Sequence, residues 1–361
     1  MSPTFSSKTI DTLAKRSGFL CSNPECRVAT VGPNTEPDKA TTIGEAAHIF
    51  GARPDAARYD ALMNDAARAE ITNGIWLCRN CHKLVDRDAG RFPAELLYRW
   101  REEHERFIAE NLGTAGDRIR FDIDDARLRE FADYPPLVRR LVIDQPRGWE
   151  WRLTAELMRH LNQPVFRRLR DLKSGLYTRP LERVEDDAAV RWISARLGEM
   201  QVLVSPLEKL LAQLMASWGK PGEPGDVSEI HHVCCLIRDA LERIAQHEER
   251  LWFVDIDDQF HPMVELLKDC LGSQAAKMAS IPEALDEFFA LLDTDHGGTK
   301  ENPRVVKKTI TFELPSGWER RVSREMKRLA SKSTGGPDSG SSWSSIVIGI
   351  IAVVIVYVLF F

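Results

Sequence analysis

Four cysteines stand in two short pairs far apart in the chain: Cys21 with Cys26, and Cys78 with Cys81. Two such pairs brought together make a tetrahedral thiolate cage of the kind that holds zinc. Asn23-Pro24 inside the first pair supplies the tight turn that lets both sulfurs point one way. Cys78-x-x-Cys81-His82 also matches a c-type haem attachment, but that chemistry needs an exported domain and nothing here exports the N-terminus. A thioredoxin-like redox pair would want a βαβ context, which is missing. Zinc is therefore expected, and as a structural ion, because protein fills all four positions. Three elements must surround this cage. Ile43–Ile49 reads as a short strand delivering His48. Asn73-Gly74 is a turn leading through an apolar strand into Cys78, and a helix from Cys81 projects His82 towards the first strand.

The run Asn73-Gly-Ile-Trp-Leu-Cys-Arg-Asn-Cys-His-Lys-Leu-Val-Asp86 resembles the core of the HNH endonuclease superfamily, in the subgroup with two zinc-binding cysteine pairs. The helix Ala94–His104 is similar to the one that commonly follows. The resemblance spans about residues 19–111. It implies a ββα-metal fold and hydrolysis of phosphodiester bonds in DNA, with RNA not excluded. By the same resemblance His82 is a ligand of a catalytic magnesium or manganese ion, distinct from the zinc, and Asn73 holds the histidine-bearing loop in register. Water is a poor nucleophile near neutral pH, so a neutral imidazole must take its proton, and His48 is the candidate general base. Many members carry an acidic residue directly before that histidine; here the position is Ala47. Asp86, one helical turn after His82, and Glu45, on the strand face of Ala47, are the further candidate ligands, and surface charge is the plainer account of each. Arg79, Lys83 and Arg87, with Arg91, Arg99 and Arg101, would suit contact with a phosphate backbone. Pairs such as Arg101 with Glu105 also stabilise a helix by themselves. His104, in the same helix, is expected to be solvated.

The bulk composition neither helps nor forbids a nucleic-acid role. With 49 basic and 54 acidic residues the net charge is −5, so any such role rests on a local patch. Seven cysteines, an odd number with Cys234 beside Cys235, fit a reducing compartment. Met1–Lys8 lacks the apolar core of a signal peptide, which points to a body in the cytoplasm. Residues 1–112 form the HNH domain, Gly113–Asp117 a turn-rich junction, and 117–330 a mostly helical domain for sensing or oligomerisation. Residues 331–343 make a Gly/Ser-rich linker.

Within the helical part, Trp149–Leu172 reads as an amphipathic helix. Val190, Ile193, Leu197, Met200, Val204, Leu207, Leu211 and Leu214 recur in steps of three and four. That seam suits one buried face of an intramolecular bundle or a homodimeric coiled coil, and Pro206 should kink or split it. Lys308–Leu314 reads as a short strand. His231, His232, Cys234 and Cys235 face different ways on a helix and are not expected to form a second metal site.

Residues 344–361 carry no charge, run Ile-Val-Ile-Gly-Ile-Ile-Ala-Val-Val-Ile-Val-Tyr-Val-Leu-Phe-Phe from Ile346, and follow Arg320, Arg321, Arg324, Lys327, Arg328 and Lys332. They are expected to be a membrane-spanning helix, a tail anchor in the cell inner membrane. The fold class expected is thus α+β: an N-terminal ββα-metal domain with a zinc knuckle, a mostly α-helical middle domain and a single C-terminal transmembrane helix. The function expected is a membrane-tethered endonuclease, suited to defence against phage or plasmid DNA. The alternative is a non-catalytic, zinc-dependent membrane protein that binds nucleic acid or protein.

Overall fold

The computed structural model describes residues 4–112, 128–220, 223–294, 304–312, 314–332 and 352–360. The Gly113–Asp117 junction lies outside them. The chain divides into two compact units, residues 1–153 with 289–296, and 154–288 with 297–361. The class is α+β, mostly helical, with an N-terminal β region that carries the four cysteines.

In the first unit, α1 (Ser7–Arg16) is capped by Ser6, whose hydroxyl accepts from the Thr9 amide. A small hairpin, β1 (Val31–Pro33) with β2 (Ala40–Thr42), precedes the central one. There β3 (Gly44–His48) pairs antiparallel with β4 (Gly74–Cys78), after the short α2 (Asp65–Ala69). Then come α3 (Arg79–Arg87), α4 (Ala94–Asn111) and α5 (Pro136–Asp144). Every residue of β4 is buried, so both faces of this strand are covered and its sequence is a continuous apolar run. Ile75 and Leu77 join Ala47, Val85, Leu97 and Trp100 on one side. Trp76 packs on Leu13 and Ala14 of α1 on the other. Gly74 allows that approach, since a Cβ there would meet Leu13 Cδ1 at 2.5 Å.

A buried ionic network ties α1, α4 and α5 together. Arg140 donates to Glu105 at 2.8 Å and to Asp144 at 2.5 Å, and Arg101 donates to Glu105 at 2.9 Å. Arg16 reaches Glu105 at 2.9 Å and Asp144 at 3.2 Å. Arg101 also donates to the carbonyls of Ile71 and Gly74, bracing the turn before β4. The Arg101–Glu105 pair, legible as a helix-surface pair, is therefore an interior one, and Arg101 leaves the expected basic surface. His104 is corrected likewise: it is buried and its Nε2 donates to the Ser17 carbonyl at 3.0 Å, because α4 lies against the end of α1.

The helices of the second unit begin within α6 (Trp149–Lys173) and continue, after the two-residue β5 (Glu182–Arg183), with α7 (Asp186–Ser217) and α8 (Val227–Trp252). The two-residue β6 (Val254–Asp255) pairs with β5, and α9 (His261–Leu267), α10 (Cys270–Lys277) and α11 (Ser280–Thr294) follow. The seam of α7 is buried at Ile193, Leu197, Met200, Leu207, Leu211 and Leu214, and α7 packs on α8. Pro206 does not split α7. A proline at that position deprives the Val202 carbonyl of its amide partner, and the Ser205 hydroxyl donates to that carbonyl at 3.1 Å.

At the C-terminal end, β7 (Arg304–Phe312) matches the strand expected near Lys308, and α12 (Trp318–Lys332) follows Pro315. The expected transmembrane helix is corrected where the chain is described: Ala352–Phe360 is a strand, β8, antiparallel to β7 from Arg304↔Phe360 to Phe312↔Ala352. Among the described residues no helix is long and apolar enough to cross a membrane. Val353, Val354, Ile355, Val356 and Val358 favour the outcome, because β-branched residues prefer the extended backbone and β7 pairs with one edge of the strand. Residues 344–351 lie outside the described part, as do 333–343 of the expected linker; its first two residues, Ser331 and Lys332, complete α12.

Replacing Asp144 by alanine leaves Arg16, Arg101 and Arg140 to share Glu105 in the interior. Loss of one partner of a buried pair is expected to destabilise the first unit by about 3–5 kcal/mol, read as a lower urea midpoint at unchanged slope.

Candidate functional site

Cys21, Cys26, Cys78 and Cys81 come together with their sulfurs all within 4.8 Å of one another, and none is in a disulfide. The first pair sits on the turn the sequence announces: Asn23 accepts from the Glu25 amide through its side chain and from the Cys26 amide through its carbonyl. The second pair is placed by β4 running into α3, with Cys78 as the helix cap. Amides point at the sulfurs, from Cys78 to Cys21 at 3.4 Å and from Cys81 to Cys78 at 3.5 Å, and the Asn23 side chain donates to Cys81 at 3.3 Å. Burial pushes the Cys21 thiol up and the Cys81 thiol to about 11. Cys78 sits below its usual value because donors to its sulfur, first the Cys81 amide, outweigh burial. Four sulfurs this close, partly buried and met by donors, fit a structural zinc, whose charge would hold all four as thiolates.

His48 ends β3, opposite Gly74. Its ring stacks on Phe5 with centroids 4.0 Å apart and planes 11° from parallel. Burial first, then the positive neighbours His82 and Arg68, pushes its pKa down to about 4, and its Nε2 is buried with no hydrogen-bond partner. The imidazole is therefore neutral near pH 7 and has an unused nitrogen. Asn73 is fully buried and clamps the backbone just after His48. Its side chain accepts from the Phe50 amide at 2.8 Å and donates to the Phe50 carbonyl at 2.9 Å and the Arg68 carbonyl at 3.0 Å. Its own carbonyl accepts from the Ile49 amide.

His82, on α3, sits in a row between two carboxylates. Its Nδ1 is 2.8 Å from Glu45 and its Nε2 3.4 Å from Asp86. Asp86 and then Glu45 hold the His82 pKa above the ordinary imidazole value against the opposing effect of burial. Glu45 is correspondingly lowered by His82, and Asp86 is lowered because His82 and Arg58 outweigh its burial. Strand parity explains the meeting: Glu45 and Ala47 alternate onto the side of β3 that faces α3. Ala47 carries no acid, and the carboxylate that β3 brings to His82 is that of Glu45, two residues earlier. Because the two carboxylates occupy different ring nitrogens, the three donors form a line. Among the described residues only the four cysteines form a closed metal-binding group.

Arg58 had no signature in the sequence. It lies in the long connection after β3, buried, and donates to Asp86 at 2.7 Å and to the carbonyls of Ile49 and Val85 at 2.7 and 2.6 Å. One guanidinium thus ties the chain after His48 to α3 below His82. Phe5, more than forty residues from His48 in sequence, was equally invisible. Arg79, Lys83 and Arg87 are exposed on α3 at a spacing of four, which sets them on one side, and Arg79 pairs with Glu45 at 3.1 Å. Away from this site, Cys234 is buried, whereas Cys235 lies 3.6 Å from His231. They do not belong to any metal-binding cluster among the described residues.

No known protein family matches the chain, and no curated relative matches it.

Two outcomes follow. Metal analysis of the purified chain should return one zinc, and Cys21→Ser or strong chelation should remove it and unfold the first unit, seen as loss of its tryptophan signal. In zinc-loaded protein without added magnesium or manganese, NMR titration should find His48 neutral down to about pH 4 while His82 stays protonated above the ordinary imidazole value. The raised His82 pKa contributes stability that is full below its unfolded value and is lost as pH rises through the folded one. The lowered Glu45 and Asp86 contribute stability that is lost on acidification. The cluster should therefore be most stabilising between the carboxylate and raised imidazole ranges.

Proposed function

We propose that this chain is a metal-dependent HNH-type endonuclease that hydrolyses phosphodiester bonds of DNA from a membrane. The observation that supports it most is the neutral His48, with a free ring nitrogen, at the end of the strand that also carries Glu45 to His82. Hydrolysis needs a base for the attacking water, and a neutral imidazole is the right group at physiological pH. Asn73 and Phe5 would keep that imidazole aimed, one by gripping the backbone after it and the other by stacking on its face. Glu45 and His82, with Asp86 behind them, are hard oxygen and imidazole donors that suit magnesium or manganese. That ion, when bound, would neutralise charge building on the phosphate and the departing sugar oxygen. Arg79, Lys83 and Arg87 would meet phosphates along the strand and set its register without reading sequence.

The membrane part of the proposal rests on residues 344–361, which carry no charged side chain. Lipid offers no hydrogen-bond partners, so uptake of this run requires its pairing with β7 to give way to bonds internal to the run. A nuclease held there acts on nucleic acid arriving at the membrane, which suits defence against phage or plasmid DNA.

A second reading is favoured by Ala47 and by the engagement of both His82 nitrogens. The zinc fold would then bind nucleic acid or protein without cutting. The full chain in detergent, given plasmid with magnesium or manganese, separates the two. Cleavage is expected, with His48→Ala slower by about 10²–10⁴-fold at unchanged zinc content. Zinc-dependent band shifts without cleavage by the wild-type chain would sink the nuclease.

A further inference from the structure

The helix α12, outside the site described above, has two unlike sides. Trp318, Val322 and Leu329 are buried, and the Trp318 indole donates to the Leu266 carbonyl at 2.5 Å. At 100° per residue these three lie within one narrow arc. The opposite arc holds Arg320, Arg324 and Lys327, all exposed, while the exposed Arg321 lies at the edge of the buried arc. Among the described residues none of the four has a carboxylate partner, whereas the neighbouring Arg328 pairs with Glu325 at 2.6 Å and donates to the Gln259 carbonyl. A folded helix that leaves three cations unpaired on one side while anchoring the other in a core presents a rigid positive surface.

We propose that this side of α12 docks on a bilayer surface carrying anionic headgroups and so holds the second unit against the membrane. It rests on the tether described under Proposed function. A bilayer is favoured over nucleic acid by continuity: the charge-free run from Ser344 begins twelve residues after Lys332, no more than about 40 Å of extended chain. If that run enters lipid, the basic side is held within reach of the headgroups. Each basic residue near an anionic surface strengthens binding by about fivefold, so three make a contact on the order of a hundredfold, and one that salt weakens.

The test uses the full chain mixed with vesicles of phosphatidylcholine alone or with phosphatidylserine, followed by flotation. The reactivity of Lys327 towards an acylating reagent is read by mass spectrometry, with exposed Lys209 as reference. Flotation with both lipids is expected, and several-fold protection of Lys327 only with phosphatidylserine. High salt and the Arg320→Gln, Arg324→Gln double variant should abolish that protection. Flotation with phosphatidylserine vesicles alone, with Lys327 protected, would support the docking surface and remove the tether. Equal Lys327 reactivity in both lipids would overturn the proposal. So would protection by duplex DNA in the absence of any by phosphatidylserine, which would assign the surface to nucleic acid.

Discussion

The first unit depends on the meeting of four sulfurs from two distant stretches of chain. Residues 21–26 and 78–81 are held face to face, so β4 must enter the knuckle at Cys78 and α3 must leave it at Arg79. Register follows directly. With Cys78 opposite Gly44, Leu77 falls opposite Glu45 and Gly74 opposite His48. A one-residue slip would turn Glu45 and Ala47 away from α3 and separate Glu45 from His82. A small unit with a modest apolar core gains from such a closure, because the ion that fits the cage would constrain a loop of more than fifty residues.

Charge inside this unit is arranged in two ways with different consequences. Arg16, Arg101, Glu105, Arg140 and Asp144 compensate one another in the interior and serve to fix α1, α4 and α5. The row Glu45–His82–Asp86, with Arg58 behind it, is partly open to solvent. His48 stands apart from both, neutral because burial and nearby positive charge oppose its protonation. Two histidines close in space are thus driven in opposite directions.

The C-terminal run shows how far environment decides conformation. Its length and lack of charge suit a membrane span, whereas its β-branched residues suit a strand, and with β7 beside it the strand forms. Composition alone does not choose between these outcomes, since the choice turns on what can satisfy the backbone polar groups. The same holds on a smaller scale at Pro206, where Ser205 supplies the hydrogen bond that lets α7 continue.

The four-cysteine knuckle itself was written in residue types at short spacing. Paired cysteines, the Asn23-Pro24 turn, the apolar run into Cys78 and the helix bearing His82 are local features, and local sterics and periodicity suffice to announce them. The helix from Trp149, the seam from Ile193 to Leu214 and the strand through Lys308 were legible for the same reason. What only the tertiary structure decided are partnerships between residues far apart in the chain. These include the stacking of Phe5 on His48, the Arg58 bridge to Asp86, the burial of His104 and Arg101, and the approach of Glu45 to His82. They depend on which surfaces meet after folding, and long-range packing leaves no periodic trace in the sequence. The four cysteines were visible from spacing alone; that their sulfurs converge within one ion's reach is a fact of the fold.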